Sequence, residues 1–311
     1  MQKEFHSTLS ELAKVISGKE DVLQRILMAI LADGHILMDD MPGMGKTTLA
    51  LALGRVTGLT AKRIQLTPDV LPSDVVGYSV YDKAAGQMEY RPGVVIGANL
   101  LLADEINRTS SRTQSAFLEA MEERQVTVDG VTHPLAEPFV VIATQNQVGT
   151  AGTQRLPYAQ LDRFLVGLSM GYPDRAAQVE LLKRRQNAEP MDQLNKTLTL
   201  ERIRAMQREV QAVLAKDCIL AYITDLAIAS RENAWIQVGL SPRAALHLDR
   251  MAKARAYMMD RDYVVPEDVQ AVFADVANHR ILLSAKARMN AVTVQQALKS
   301  VLEAVPAPDW K

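Results

Sequence analysis

The chain predicts an α/β fold, a central and mostly parallel sheet, followed by a smaller all-helical domain. Three observations carry this expectation. Short, solidly apolar runs alternate with helical patterns up to about residue 172. A strand, a glycine-containing loop and a helix follow one another near the start. Beyond residues 172–174 helical patterns take over and no strand-like run stands out. The expected domains are therefore 1–172 and 173–311.

Taken in order, residues 4–15 form a short amphipathic pattern, and in 19–33 Val22, Ile26, Leu27, Ile30 and Leu31 recur at helical spacing. Residues 35–39 read as a buried strand, 41–45 as a turn and 46–57 as a helix leaving it directly. A strand at 63–66 precedes a turn-rich stretch, 67–97, which holds two strand-like pieces at 77–81 and 87–90. The apolar strand 100–103 ends in Asp104 and Glu105, and a helix covers 110–123. Runs at 125–128 and 131–133 flank Asp129 and Gly130, a hairpin signal because that turn needs positive φ at both central residues. Residues 139–144 form another buried strand ending at Gln145 and Asn146, and 165–169 closes the sheet. Pro190 and Pro242 punctuate the helical part, Pro266 starts another helix, and the tail from Pro306 reads as loose.

Composition bounds the function. The 311 residues are 48% hydrophobic and 23% charged, enough for a proper core in two domains. Lys and Arg total 35 against 36 Asp and Glu, without the basic excess of a protein whose main partner is nucleic acid. The single cysteine, Cys218, lies in an apolar run and reads as a buried thiol in a reducing compartment. The N-terminus lacks the apolar core of a signal peptide, and no stretch reaches the roughly 18 apolar residues of a membrane span. The expectation is a soluble, cytoplasmic protein. The histidines at 6, 35, 133, 247 and 279 show no metal-ligand spacing, and Lys183, Arg184 and Arg185 read as a solvated helix face.

The strongest chemical signal is Pro42, Gly43, Met44, Gly45, Lys46, Thr47 and Thr48. So tight a loop turns backbone N–H groups inward around a polyphosphate, and the helix starting at Lys46 adds its positive end. Lys46 would reach the β- and γ-phosphates of ATP, and Thr47 would hold Mg²⁺ through its hydroxyl. The full pattern wants glycine where this chain has Asp40, and Asp39 with Asp40 sets two negative charges near a site for anions. At the end of an apolar strand, Asp104 would hold the Mg²⁺ through water and Glu105 would polarise the attacking water. Asn146, at the end of the next buried strand, suits a second hold on that water, although a strand-terminal Asn also caps turns. Arg163 suits a contact to a neighbouring subunit's γ-phosphate, or is an ordinary surface arginine. Ser241 and Pro242 start a helix well, but Arg243 opposes its dipole unless an anion is there to be met. A nucleotide phosphate is such an anion.

With these features in this order, the chain resembles the AAA+ ATPases, and within them closely the MoxR group. The matching segments are QLTPDVLPSD (65–74), RPG (91–93), ADEINRT (103–109), TQSAFLEAMEERQVTVDG (113–130), ATQN (143–146), LDRF (161–164), SPRA (241–244) and RDYVVPEDV (261–269). The resemblance implies an AAA+ core with an all-α lid domain, Asn146 as first sensor, Arg163 as arginine finger and Arg243 as second sensor. It sets Val15, Ile16 and Gly18 around the adenine. It makes about 74–97 an insert in the second helix and about 125–133 a hairpin, both facing a central pore. It further implies a homo-oligomer, usually a hexameric ring, a partner with a von Willebrand factor A domain, and a chaperone role on protein clients that include metal-dependent enzymes. Asp40, Gln147 in place of a proline, and the loop 148–155 without acidic character depart from the group's pattern.

Two other functions stay open on these residues. An oligomeric scaffold that binds ATP and hardly hydrolyses it would suit Asp39 and Asp40, but not the intact Lys46, Thr47, Asp104, Glu105 and Arg163. A nucleic-acid motor is disfavoured by the balanced charge and by a hairpin, 125–133, without Lys or Arg.

Overall fold

Five parallel strands carry apolar side chains on both faces, so the sheet must be covered twice. The computed structural model describes residues 2–40, 44–145, 156–187 and 190–310. Helices α1 (Gln2–Ala13) and α2 (Glu20–Leu31) lead into β1 (Ile36–Asp39), followed by α3 (Lys46–Thr57) and β2 (Ala61–Gln65). The short α4 (Pro72–Val76) precedes a hairpin of β3 (Gly77–Asp82) and β4 (Gln87–Pro92). After β5 (Leu100–Asp104) come α5 (Ser111–Glu123), a second hairpin of β6 (Gln125–Val128) and β7 (Val131–Pro134), then β8 (Val140–Gln145), α6 (Tyr158–Leu161) and β9 (Val166–Leu168). The sheet runs β2-β5-β8-β1-β9, every pair parallel.

Strand alternation sorts the two cores. Ile36, Met38, Leu100, Leu102, Val140 and Ile142 face α1, α2 and α3, whereas Leu37, Leu101, Ala103, Val141 and Ala143 face Phe117, Leu118 and Met121 of α5. Each such fully buried leucine or isoleucine contributes about 1.5–3 kcal/mol. Ser110 caps α5, its hydroxyl accepting from Thr113 N–H. The tight turn at Asp129 and Gly130 has φ of 49° and 80°, as a type I′ hairpin requires. Tyr90 of β4 stacks on His133 of β7, ring centroids 3.8 Å apart, and so joins the two hairpins.

The second part comprises α7 (Arg175–Asn187), α8 (Leu200–Gln211), α9 (Asp217–Glu232), β10 (Ile236–Val238), α10 (Pro242–Met258), α11 (Pro266–Ala277), β11 (Leu282–Leu283), α12 (Ala285–Met289) and α13 (Val294–Ala304). Its apolar core is continuous with that beneath α1 and α2. Gln207 of α8 donates to the Ile30 carbonyl at 2.8 Å, so the helical part is anchored on the first two helices.

Three expectations need correction. β10 and β11 form a small antiparallel ribbon in the part expected to be wholly helical; strands this short leave no period to read. Helix α4 lies in the stretch expected to be turns, started by Pro72 and held by the Asp74 carboxylate, which accepts from Leu71 N–H at 2.9 Å. The tail is docked rather than loose: Trp310 packs on the core, 5.7 Å from the Tyr263 ring, and Lys216 donates to its carbonyl at 3.0 Å. One aromatic anchor buries enough apolar area to order a short tail.

Candidate functional site

Strand β1 ends at Asp39, and helix α3 begins at Lys46 on the same side of the sheet. Gly45 stands between at φ 81°, and a Cβ there would meet no atom within 4 Å. The positive φ selects glycine, and the open space above it leaves the backbone free for a ligand's close approach. Lys46 is buried and donates through Nζ to the Asp40 carbonyl at 3.0 Å. Met44, Thr47 and Thr48 are half-buried beside it. Pro42 and Gly43 lie outside the described residues, as do Asn146, Gln147 and the loop 148–155.

Asp40 is not the charge in the loop that the sequence implies. Its carboxylate turns away and is almost fully buried, accepting from the Ser169 hydroxyl at 2.7 Å, Met170 N–H at 2.8 Å and Gly171 N–H at 3.0 Å. Three donors, two of them backbone, take up the charge.

The acidic pair stands two strands away. Parallel register sets Asp39 level with Gln145 and Ala103 level with Ala143, so the carboxyl ends of β1, β8 and β5 share one edge. Asp104 accepts from the Thr144 hydroxyl at 2.6 Å and from Arg63 at 2.9 Å. Thr144 also accepts from Glu105 N–H at 2.9 Å, and its side chain is fully buried. Glu105 is held at φ 58°, a conformation that costs a non-glycine residue about 1–2 kcal/mol. Its carboxylate accepts from Arg108 at 2.9 Å. The oxygen donors Thr47 and Asp104 suit Mg²⁺, a hard cation that prefers oxygen.

Arg163 and Arg243 are brought together, but elsewhere. Both pair with Glu122 at the end of α5, Arg163 through Nε at 2.6 Å. They line a cavity of about 290 Å³ with Gly34 and His35, which precede β1, and with Arg124 and Arg250. This is the amino end of the strands, whereas Lys46 follows the carboxyl end. The anion that Arg243 meets at its helix start is thus, within one chain, the Glu122 carboxylate. Ser241, the N-cap of α10, donates to the Asp162 carboxylate, which also accepts from the buried Arg280 at 2.9 Å. The start of α10 and the Asp162–Arg163 turn are thereby fixed to each other.

Two buried histidines, His35 and His247, line this cavity, and the half-buried His279 stands beside Arg280. His35 accepts at Nδ1 from Val141 N–H, which leaves Nε2–H to donate to the Met121 carbonyl, and burial lowers its pKa to about 3. Burial, reinforced by Arg280, lowers His247 to about 2 and takes His279 well below its ordinary value.

Val15 is half-buried, Ile16 buried and Gly18 exposed, all just beyond α1. A Cβ on Gly18 would stand 2.8 Å from that of Ala177 in α7, and Lys19 donates to the Tyr172 carbonyl at 2.8 Å. This segment therefore grips the same connector, 169–174, that Asp40 holds. Sequence reasoning missed Thr144, Arg63, Arg108, Glu122 and Asp162. Only Arg108 left a signal, one helical turn after Glu105; the others matter through pairings between strands and between domains. The side chains of Arg184 and Arg185 lie outside the described residues.

Comparison with known proteins shows what the chain is similar to. Residues 35–166 match the ATPase family associated with various cellular activities (AAA), and 228–301 match the AAA lid domain. The chain is 43% identical to the uncharacterized protein YeaC of Bacillus subtilis, covering 99% of this chain and 97% of that one. It is 34% identical to the chaperone MoxR1 of Mycobacterium tuberculosis, over 96% of this chain and 81% of the relative. A crystal structure of a candidate ATPase from Cytophaga hutchinsonii superposes with a TM-score of 0.91 at 36% identity, covering 99% and 96% of the two chains.

Proposed function

Because the chain belongs to the MoxR group of AAA ATPases, we propose that it hydrolyses Mg-ATP in sites shared between copies of itself in a homo-oligomeric, hexameric ring. One observation carries this reading: the two halves of the site lie at opposite ends of β1. Lys46, Thr47, Asp104 and Glu105 belong to the carboxyl edge, Arg163 and Arg243 to the amino edge. Four strand residues separate the edges by about 13 Å, so one chain's arginines do not serve its own phosphates. A head-to-tail neighbour supplies them, and Arg243 acts in trans together with Arg163.

In this mechanism Pro42 to Thr48 wrap the triphosphate, and Val15, Ile16 and Gly18 clasp the adenine. Lys46 exchanges the Asp40 carbonyl for the β- and γ-phosphates. Thr47 and Asp104 would hold Mg²⁺, which would neutralise negative charge on the phosphates. Glu105 leaves Arg108 and takes the proton of the attacking water, with Asn146 holding that water from the other side. As the water oxygen bonds to the γ-phosphorus and the bond to the bridging oxygen breaks, ADP and inorganic phosphate form, and the neighbour's Arg163 and Arg243 stabilise the charge on the equatorial oxygens. The cycle remodels a protein client in the cytoplasm, in company with a partner carrying a von Willebrand factor A domain. Its chaperone-named relative supports this. So does the character of the hairpins, which expose Tyr78, Tyr81, Met88 and Val131 to solvent and suit protein rather than nucleic acid.

The test is phosphate release from Mg-ATP against protein concentration. Specific activity should rise with concentration and vanish in Glu105→Gln and in Arg163→Ala. An equal mixture of those two variants should recover about a quarter of wild-type activity, because one interface in four then joins an intact Glu105 to an intact Arg163. A mixture without activity overturns the shared site. A wild type that binds ATP and releases no more phosphate than Glu105→Gln makes the protein an ATP-binding scaffold instead.

A further inference from the structure

Asp40 joins two parts of the molecule that the proposed reaction must keep in step. Its backbone carbonyl holds Lys46, the residue that leaves for the phosphates when nucleotide arrives. Its carboxylate holds Ser169, Met170 and Gly171, the first residues of the connector from β9 to α7. The glycine that the phosphate-loop pattern wants there has no side chain and makes no such link.

The connector is tied at further points in the same direction. Tyr172 accepts from Lys19, and Asp174 caps α7 by accepting from Ala177 N–H at 2.7 Å. Any displacement of Asp40 therefore pulls on a segment that ends in a capped helix of the second domain. The link is also costly to break, because Met170 is buried and its N–H has no water to replace the carboxylate.

From this geometry we propose that Asp40 is a positioning residue that transmits nucleotide occupancy from the phosphate loop to the connector 169–174 and so to the helical domain. The inference rests on the ATPase reading above. Lys46 and the connector share Asp40 as their anchor. On ATP binding Lys46 lets go of the Asp40 carbonyl, and the change at Asp40 passes through its carboxylate to the connector.

The full-length protein tests this with Mg-ATP as the probe, by steady-state kinetics and by hydrogen exchange of the connector peptide. In the wild type, nucleotide should change exchange at the Met170 and Gly171 amides. Asp40→Gly, which restores the loop glycine, should keep KM within about threefold while kcat falls at least about tenfold, with the nucleotide-dependent exchange change lost. Ser169→Ala removes one of the three donors, leaves the fold intact and should show the same split in milder form, which guards against a glycine variant that does not fold. Asp40→Gly with wild-type kcat and a wild-type exchange response overturns the inference while leaving the ATPase reading standing. So does Ser169→Ala raising KM and lowering kcat in proportion, the mark of a merely structural contact. A wild type that fails to bind Mg-ATP overturns the ATPase reading itself.

Discussion

Replacing Arg280 by methionine removes one guanidinium and keeps the length of the side chain. Arg280 is almost fully buried, and its charge is held by Asp162, with Nε at 2.9 Å from the carboxylate. It also donates to the backbone carbonyls of Asp162, Phe164, Leu165 and Val276 and to Nδ1 of His247. Burial pulls its pKa down to about 10, so it stays charged at neutral pH. Breaking a buried pair from one side costs about 3–5 kcal/mol, and each orphaned buried carbonyl about 1–3 kcal/mol. Asp162 keeps the Ser241 hydroxyl and some solvent, and the desolvation cost of the arginine is recovered, so the lower end applies, about 3 kcal/mol. With a urea m-value of about 3 kcal/mol/M the unfolding midpoint should fall by about 1 M. Both tryptophans, Trp235 and Trp310, lie in the helical part that Arg280 docks, so their fluorescence follows that transition directly. A midpoint within about 0.3 M of wild type would refute the view that this residue clamps the helical part to the Arg163 turn.

Acid should destabilise the protein through His35, His247 and His279. His35 at about 3, His247 at about 2 and His279 well below its ordinary value all refuse a proton that the unfolded chain takes up near 6.5. Stability is therefore fully present above pH 6.5 and lost as the pH falls toward the folded values, by roughly 2–3 kcal/mol between pH 7 and pH 5.5 for His35 and His247, with His279 adding in the same direction. An unchanged urea midpoint over that range contradicts the burial. Thr144→Val deletes the hydroxyl that fixes Asp104 and Glu105, which should lower kcat about tenfold to a hundredfold with little change in ATP affinity. Equal loss in binding and turnover would argue that Thr144 only supports the fold. Glu122→Gln frees Arg163 and Arg243 from a half-exposed carboxylate, so half-maximal ATPase activity should need roughly fivefold less protein. A higher protein requirement would show that Glu122 builds the interface rather than holding the arginines in reserve.

Much of the fold was legible because it is written at short range. The five sheet strands, helix α3 straight after the loop, and both hairpins follow from apolar runs and turn residues, and Asp129 with Gly130 takes the backbone that dipeptide selects. The ribbon of β10 and β11, helix α4 and the docked Trp310 were not legible. The ribbon and the tail depend on one or two residues meeting partners far along the chain, and α4, set by Pro72 and Asp74, is a single turn too short to show a period.

The candidate site divides the same way. By itself the sequence determined the residue types and their order: Gly45, Lys46 and Thr47 at a helix start, and Asp104 with Glu105 closing an apolar strand. Loop conformation and strand ends are local, so residue type and spacing alone mark these positions. Only the tertiary structure decided that Asp40 turns its charge into the connector, that Thr144 bridges the acidic pair, and that Arg163 and Arg243 gather on Glu122 at the far end of β1. A charge's role depends on which donors and acceptors surround it, and those come from strands and helices that only folding brings together.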